Sequence, residues 1–453
     1  MKYVWNPHDF DPLNFLPAAL RRQSDAARVL VHQIEFRRLD KRHRADEWVT
    51  LQAKYLRNVV GVDHCEAIRD CLASEGVISV KRSFVVGQKS FEFKIGPRFQ
   101  NSMFRRFPIT DKFLLRRMGK HLGRTGPKAD CPTELALYSW LKGLTIDADG
   151  ARDYVRAHGG AAEWVRQKTL TVDMLAERDL WFTRDRFGRI HTNFTNLWSG
   201  LRRFLSVGGS PLVEMDIANS QPLFFGLLAM VKWRSSQEAS SQCQQDVEEC
   251  RNNSGRITNV NSKSILSPPP LLSLYDAGIH HGNIRRSLPP DLAEYLGLVE
   301  RGDFYEHLMR KARLTWAKRS QFKDSFFQHV FYAKRVYRNP IANVFRKEFP
   351  TAHAVLTAIK KSDPRDAPHK MQQLEADFVI GTCCRKLSAD HPAVPLLTLH
   401  DGIWTTPDHI GLVRRTVQDE FAKLGVRPLL RCRAASDLSL PPGASVQTRS
   451  PGR

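Results

Sequence analysis

Two short apolar runs that lie far apart in the sequence carry an aspartate at the end, Asp216 in the run 212–217 and Asp401 in the run 397–403. Short apolar runs of this kind predict buried strands. Taken singly, an aspartate at a strand end usually caps a turn or the following helix. If the two strands lie side by side in one sheet, the carboxylates meet. Paired carboxylates are the hard oxygen ligands that Mg²⁺ needs in two-metal phosphoryl transfer.

A third segment, between the two aspartates, adds weight to this interpretation. Arg319, Lys323 and Phe327 are four residues apart, so on a helix they form one slowly rotating stripe. A guanidinium and an ammonium on one helix face can clamp a triphosphate, and an aromatic ring one turn further can pack against a sugar or base. Because 69 of the 453 residues are Lys or Arg, basic pairs at this spacing also arise by chance on a solvated surface.

The order of the segments is more specific than any one of them. Upstream of Asp216 lie Arg189 and, seven residues later, Asn196, while Gln372 lies upstream of Asp401. In this order the segments resemble the consecutive motifs of the polymerase-I-like (family A) DNA polymerases and of the related single-subunit phage-type RNA polymerases. The resemblance covers residues 176–433.

This resemblance implies an α+β fold of the right-hand polymerase type, with an antiparallel palm sheet and helical fingers. It implies that Asp216 and Asp401 are catalytic and hold two Mg²⁺ ions, with the backbone carbonyl of Ile217 as a further ligand. The residues that would bind the incoming nucleoside triphosphate are Arg319, Lys323, Phe327 and Gln221. The residues that would contact a primer-template duplex or a single-stranded template are Arg189, Asn196, Gln372 and His400.

Several residues depart from the DNA-polymerase pattern. Gln221 stands where these polymerases carry a glutamate that blocks the ribose 2′-hydroxyl, and Gly402 stands where they carry another glutamate. The tyrosine-glycine pair that normally ends the fingers motif is replaced by Phe331-Tyr332-Ala333. Phe327 is the DNA-polymerase type of residue, whereas the segment around Arg189 is closer to the RNA-polymerase version. The sequence therefore leaves the choice between DNA and RNA synthesis open.

Composition agrees with a polyanionic partner. The formal net charge is +22 and the isoelectric point is near 9.9, and for a soluble chain the usual polyanion is nucleic acid. The longest apolar run, 223–231, is too short to cross a bilayer, and residues 1–7 are not followed by the apolar region of a secretory signal. The eight cysteines form no zinc or disulfide pattern, so we expect a reducing cytoplasm and no membrane association.

The sequence predicts a winged-helix-like module over residues 51–99. A helix starting near Asp63 is followed by two alternating strands and a turn at 87–89. In such a module the helix would enter the major groove and the wing would contact the backbone. The residues available for phosphates are Lys81, Arg82, Lys89 and Lys94. A small packing subdomain without DNA contact explains the same pattern equally well.

The remaining boundaries follow composition. Residues 1–50 predict a helical N-terminal segment, and residues 100–175 a basic, mainly helical region in the position of a polymerase thumb. Within the palm and fingers region 176–433, the Ser/Gln-rich and proline-rich stretch 233–272 predicts a disordered insertion, and residues 434–453 predict a disordered tail. No Asp-x-Glu triplet precedes residue 180, so we expect no proofreading site. A compact enzyme without editing would suit a phage, plasmid or integrated element.

Two classes of function fit these features. The first is template-directed nucleotidyl transfer, with a DNA polymerase favoured and a single-subunit RNA polymerase or primase-like enzyme as the alternative within the class. The second is a catalytically silent nucleic-acid-binding regulator of replication or transcription that keeps a polymerase-like body. Only the first requires a bound metal, because two adjacent carboxylates repel each other unless a cation lies between them.

Overall fold

A computed structural model describes residues 3–39, 48–82, 90–121, 126–252, 287–314, 318–333 and 339–437, with side chains omitted for 238–252. The predicted wing turn at 87–89, which includes Lys89, lies outside the described residues. So do residues 253–272 of the predicted insertion and residues 438–453 of the predicted tail.

Helices and small antiparallel sheets make up the described chain, which divides into two compact units. The first unit contains residues 1–183, 191–212 and 434–453, and the second contains residues 184–190 and 213–433. Across the described ranges, every helix is too short or too polar to cross a membrane.

The N-terminal part of the first unit is built around one hydrophobic core. The strand Tyr3–Pro7 pairs with Phe104–Pro108, and a three-stranded antiparallel sheet has the order Val49–Thr50, Glu92–Ile95, Ile78–Lys81. Buried side chains from residue 4 to residue 118 form one cluster. The predicted boundaries at 50/51 and 99/100 therefore fall inside a single core. Pairing between strands on either side of each boundary joins segments that differ in composition.

Element order in this core is helix Ser24–Arg38, strand, helices Ala53–Val60 and Cys65–Ser74, then two strands. Three of the basic residues predicted to contact phosphates have partners within the protein. The Lys81 ammonium lies 4.2 Å from the Trp48 ring centre, Arg82 is 2.8 Å from Asp70, and Lys94 is 3.3 Å from Glu163.

The rest of the first unit is mainly helical. Its longer helices are Lys112–His121, Pro132–Gly143, Ala148–Ala157 and Ala162–Ala176, followed by the short helix Asn193–Asn196. A small antiparallel sheet has the order Ser210–Pro211, Leu205–Val207, Leu144–Ile146. Helix Lys112–His121 contributes Leu114 and Met118 to the cluster that begins at residue 4, so part of the predicted thumb-like region belongs to that core.

A four-stranded sheet organises the second unit. Its strand order is Leu397–Leu399, Gly402–Thr405, Val213–Ile217, Leu430–Ala434. The first three strands pair antiparallel, so the two apolar runs of the sequence are neighbours, as the aspartate pattern predicted.

The helix that follows Asp216, Ser220–Asn252, is longer than the sequence indicated. It covers residues 233–252, where we predicted a disordered insertion. These residues contain neither glycine nor proline. Adding residues to an established helix costs far less than starting one, so a polar sequence can continue a helix whose first turns are fixed by burial.

Two helices follow one another between residues 290 and 311. Pro290–Arg301 ends at Gly302, whose φ of 84° is the left-handed conformation that terminates helices, and Phe304–Lys311 begins immediately after. The further helices of the unit are Arg319–Phe326, Pro340–Glu348, Pro350–Ile359, Asp366–Ala376, Arg385–Asp390 and Ile410–Lys423. Aromatic rings fill the space between them: Tyr295, Phe304, Phe326, Phe345 and Phe349 are each fully buried.

Candidate functional site

Both aspartates lie at one end of the four-stranded sheet. In the register of the central strands, Met215 pairs with Ile403, so Asp216 follows the last paired residue. Asp401 occupies a two-residue turn, because Leu399 pairs with Gly402 across His400 and Asp401. This places the two carboxylates on neighbouring strands beside the same turn.

The electrostatics of the pair are unfavourable without a cation. Burial raises the pKa of Asp216 above its ordinary value, although Arg433 and Lys323 oppose the shift. Burial also raises the pKa of Asp401 well above its ordinary value, and the charges of Glu375 and Asp216 add to this effect. A divalent cation between the carboxylates would offset both the desolvation and the repulsion.

A cavity of about 820 Å³ in the second unit contains this sheet end. The predicted site residues that line it are Arg189, Asp216, Ile217, Gln221, Arg319, Lys323, Phe327, Gln372, His400 and Asp401. Asn196, in the first unit, is not among the lining residues. The volume falls within the range of small-molecule binding sites.

Arg319 is held in place by neighbouring side chains. Its Nε donates to Glu306 at 2.6 Å and its Nη2 donates to Asn219 at 3.2 Å. The guanidinium carbon also lies 5.1 Å from the centre of the Tyr305 ring. Lys323, one turn further along the helix, is exposed, and its ammonium lies 5.9 Å from the centre of the Phe327 ring. Two cations therefore face the cavity that contains the carboxylates.

The helix that carries Arg319 and Lys323 changes its winding at Phe327. A π turn covers Phe327–Phe331, and the Tyr332 N–H donates to the Phe327 carbonyl at 2.8 Å, five residues back. The extra residue turns Phe331 into the core, where it is fully buried, and Tyr332 into the cavity.

Tyr332 contacts a predicted site residue. Its hydroxyl donates to Oε1 of Gln221 at 3.4 Å. Burial raises the pKa of this hydroxyl, so it stays protonated and able to donate. Gln221 is therefore oriented by Tyr332 on the cavity wall.

Sequence reasoning missed a third carboxylate. Glu375 is buried, accepts a hydrogen bond from Ser220 Oγ at 2.7 Å, and forms an ion pair with Arg189. Its position three residues after Gln372 on one helix was the available signal, since residues at that spacing share a face.

Two arginines of the edge strand were also missed. Arg431 and Arg433 alternate on the strand Leu430–Ala434 and line the cavity. Arg433 lies 3.1 Å from Glu214 and 3.8 Å from Asp216. Period-two spacing of cations on a strand beside Asp216 could have identified them.

The donor set fits Mg²⁺ in part. Asp216 and Asp401 offer hard oxygen ligands, and Mg²⁺ is commonly held by one or two carboxylates with water and substrate phosphates completing the shell. Within the described ranges, no group of three or more His, Cys, Asp or Glu side chains is arranged to hold a metal. Any ion at this pair would depend on ligands that come from solvent or substrate.

Comparisons with known proteins add little. No protein-family model and no curated protein matches the sequence. A solved structure of the polymerase domain of Pol1 from M. smegmatis, in complex with a DNA primer-template and dNTP, aligns over 92% of this chain and 71% of that one. The identity is 11% and the TM-score 0.29, too low to support a conclusion about fold or function.

Proposed function

We propose that the chain catalyses template-directed nucleotidyl transfer, as a DNA polymerase without proofreading. The observation that carries this proposal is the single cavity in which Asp216 and Asp401 meet Arg319 and Lys323. Carboxylates that hold cations and basic side chains that hold phosphates are both needed for phosphoryl transfer, which depends on positioning and charge stabilisation.

Each group has a defined task in this scheme. Asp216 and Asp401, with the carbonyl of Ile217, would hold two Mg²⁺ ions. When bound, these ions lower the pKa of the attacking 3′-hydroxyl and shield the triphosphate. Arg319 and Lys323 would neutralise the β- and γ-phosphates, and Lys323 can donate a proton to the departing pyrophosphate. Phe327 would pack against the sugar or base.

The choice of sugar would depend on the Gln221–Tyr332 pair. With Tyr332 donating to its Oε1, Gln221 keeps its NH₂ group available toward the cavity. An amide can fill the space beside the sugar and can also donate to a 2′-hydroxyl, so this pair permits either nucleotide. An RNA polymerase or primase-like enzyme is therefore the alternative within the class.

Primer extension tests the proposal. A labelled DNA primer-template is incubated with Mg²⁺ and either deoxynucleotides or ribonucleotides, and an unprimed template is run in parallel. The parent chain extends the primer, whereas Asp216→Asn and Asp401→Asn lose at least about a thousandfold in rate while still binding DNA. The nucleotide set that supports extension shows the preference at Gln221.

Asp419→Asn is the matched control. Asp419 is exposed on helix Ile410–Lys423, so this substitution removes one carboxylate outside the cavity. It should retain the parent rate. If the parent binds DNA but extends neither primed nor unprimed template with either nucleotide set, the polymerase proposal fails and the binding-regulator alternative replaces it.

A further inference from the structure

Helix Lys112–His121 of the first unit places an aromatic ring in solvent. One face of the helix is in the core, where Leu114 is fully buried and Met118 is 1% exposed. On the other face Phe113 is 79% exposed, the highest value among the large hydrophobic side chains of the described residues. A phenylalanine there forgoes most of the stabilisation that burial would give it.

Three cations run beside this ring. Lys112, Arg116 and Lys120 are spaced four residues apart and are all exposed. Residues at this spacing lie on one side of a helix, about 6 Å apart along its axis. The exposed face therefore combines a row of positive charges with one aromatic surface, which we call the Phe113 face.

The backbone under the Phe113 face is fixed. The Asp111 carboxylate accepts from the N–H groups of Phe113 at 2.8 Å and Leu114 at 3.0 Å. The Asp25 carboxylate in turn accepts from the N–H groups of Thr110 at 2.7 Å and Asp111 at 2.9 Å. These caps, together with the buried opposite face, hold the backbone that carries Phe113 in place before any ligand arrives, which reduces the entropy lost on binding.

Helix Cys65–Ser74 of the same unit offers a poorer surface. It carries Glu66 and Asp70, and the cations near them are engaged: Arg57 pairs with Glu66, and Arg69 pairs with Asp70 at 2.8 Å. A helix with these carboxylates would be repelled by phosphates. The charge in this unit therefore favours nucleic-acid contact on the Phe113 face instead.

We propose that the Phe113 face is a binding site for single-stranded nucleic acid, separate from the cavity of the second unit. Phe113 stacks on a base, and Lys112, Arg116 and Lys120 contact consecutive backbone phosphates. Every base has a π face, so the site takes strands of any sequence. The interaction requires neither a nucleoside triphosphate nor Mg²⁺, so it can be tested independently of the polymerase proposal.

Photocrosslinking tests the location. The full chain is irradiated with a single-stranded oligonucleotide that carries 5-bromodeoxyuridine at every second position, in EDTA and without nucleotides. After trypsin digestion, the oligonucleotide should be attached to the tetrapeptide 113–116, because cleavage follows Lys112 and Arg116. A protein that crosslinks only through other peptides would overturn the proposal.

Binding measurements test the chemistry. By fluorescence anisotropy, Phe113→Ala should weaken single-strand binding roughly 5- to 100-fold, whereas Phe113→Trp retains parent affinity because indole also stacks. Replacing Lys112, Arg116 and Lys120 together by Gln should reduce the slope of log K against log salt by about 2.

The control removes three exposed charges elsewhere in the same unit, by replacing Arg21, Arg22 and Lys54 with Gln. It lowers the net charge equally, so it measures the effect of charge without location. If it matches the triple variant of the Phe113 face, or if Phe113→Ala binds like the parent, the charges act as a solvated surface and the site does not exist. Leu135→Ala, at a side chain 43% exposed, controls for loss of a surface apolar group.

Discussion

His400, the residue before Asp401, has a φ of 55°. Residues other than glycine adopt this left-handed backbone conformation at a cost of about 1 kcal/mol. The two-residue turn requires it, and the turn is what carries the Asp401 carboxyl to the sheet end beside Asp216. At the residue scale, the site is therefore assembled against both backbone strain and charge repulsion. A bound cation would offset these costs by attracting both carboxylates.

Magnesium should stabilise the chain only while both carboxylates are present. At a Mg²⁺ concentration 100 times the Kd, the parent gains about 2.7 kcal/mol of unfolding free energy. Asp401→Asn should lose this gain. In EDTA the same variant should be at least as stable as the parent, because an amide needs neither a proton nor a counter-ion when it is buried. Differential scanning calorimetry with and without Mg²⁺ measures both effects.

Asp419→Asn should keep the full response to Mg²⁺. A parent whose Tm is the same in EDTA and in excess Mg²⁺ would contradict the metal site.

At the scale of an element, the π turn after helix Arg319–Phe326 depends on one lysine. The Lys360 ammonium, at the end of helix Pro350–Ile359, is buried and donates to the carbonyls of Val330 and, at 3.1 Å, Ala333. The wider winding of a π turn disturbs the regular bonding of these carbonyls, and Lys360 provides a donor for them. Through these two bonds it fixes the backbone on both sides of Tyr332.

Lys360→Met should therefore destabilise the chain by about 2 kcal/mol at pH 7, because buried carbonyls lose their donor. It should also raise the nucleotide KM, since Tyr332 would lose its fixed position. Chemical denaturation and steady-state kinetics measure the two effects. Lys361→Met, at the exposed neighbouring lysine, should change neither.

The stability difference should also depend on pH. Burial lowers the pKa of Lys360 from 10.5 to about 8, so between these values the unfolded chain binds more protons than the native one. The parent then gains stability relative to Lys360→Met as the pH rises through this window, by at most about 1.4 kcal/mol per pH unit before solvent screening reduces it. A difference that shrinks between pH 8 and 10 would show that the lysine is not buried as described.

At the scale of the whole molecule, hydrophobic burial is organised in separate clusters. Tyr295, Phe304 and Phe326 belong to the aromatic core of the second unit, whereas Phe113 belongs to the surface of the first. The same substitution should therefore cost much more stability in the core than at the surface.

Phe304→Ala should cost about 3–5 kcal/mol and lower the Tm by roughly 6–20 °C, because it leaves a cavity among packed rings. Phe113→Ala should stay within about 0.5 kcal/mol of the parent, because its ring is already in solvent. Thermal unfolding followed by circular dichroism compares them. Similar losses at both positions would contradict the burial that distinguishes them.

The sequence alone indicated part of the candidate site: Asp216, Asp401, Arg319, Lys323 and Phe327 line the cavity, whereas the predicted Asn196 does not. Period-four spacing of Arg319, Lys323 and Phe327 and the apolar runs around Asp216 and Asp401 are local patterns, and local patterns are what a sequence displays directly. The same reasoning found the strands Ile78–Lys81 and Glu92–Ile95.

Only the tertiary structure decided which other residues complete the cavity. The cavity also contains Glu375, Arg433 and Tyr332. Spacing could have indicated Glu375 and Arg433, but only packing shows that they line the cavity, and the π turn that brings Tyr332 there leaves no periodic signal in the sequence. The length of helix Ser220–Asn252 was likewise set by its buried first turns and not by the polar residues that extend it. A sequence shows which chemistry is present, but contacts between distant segments depend on the free energy of the whole fold.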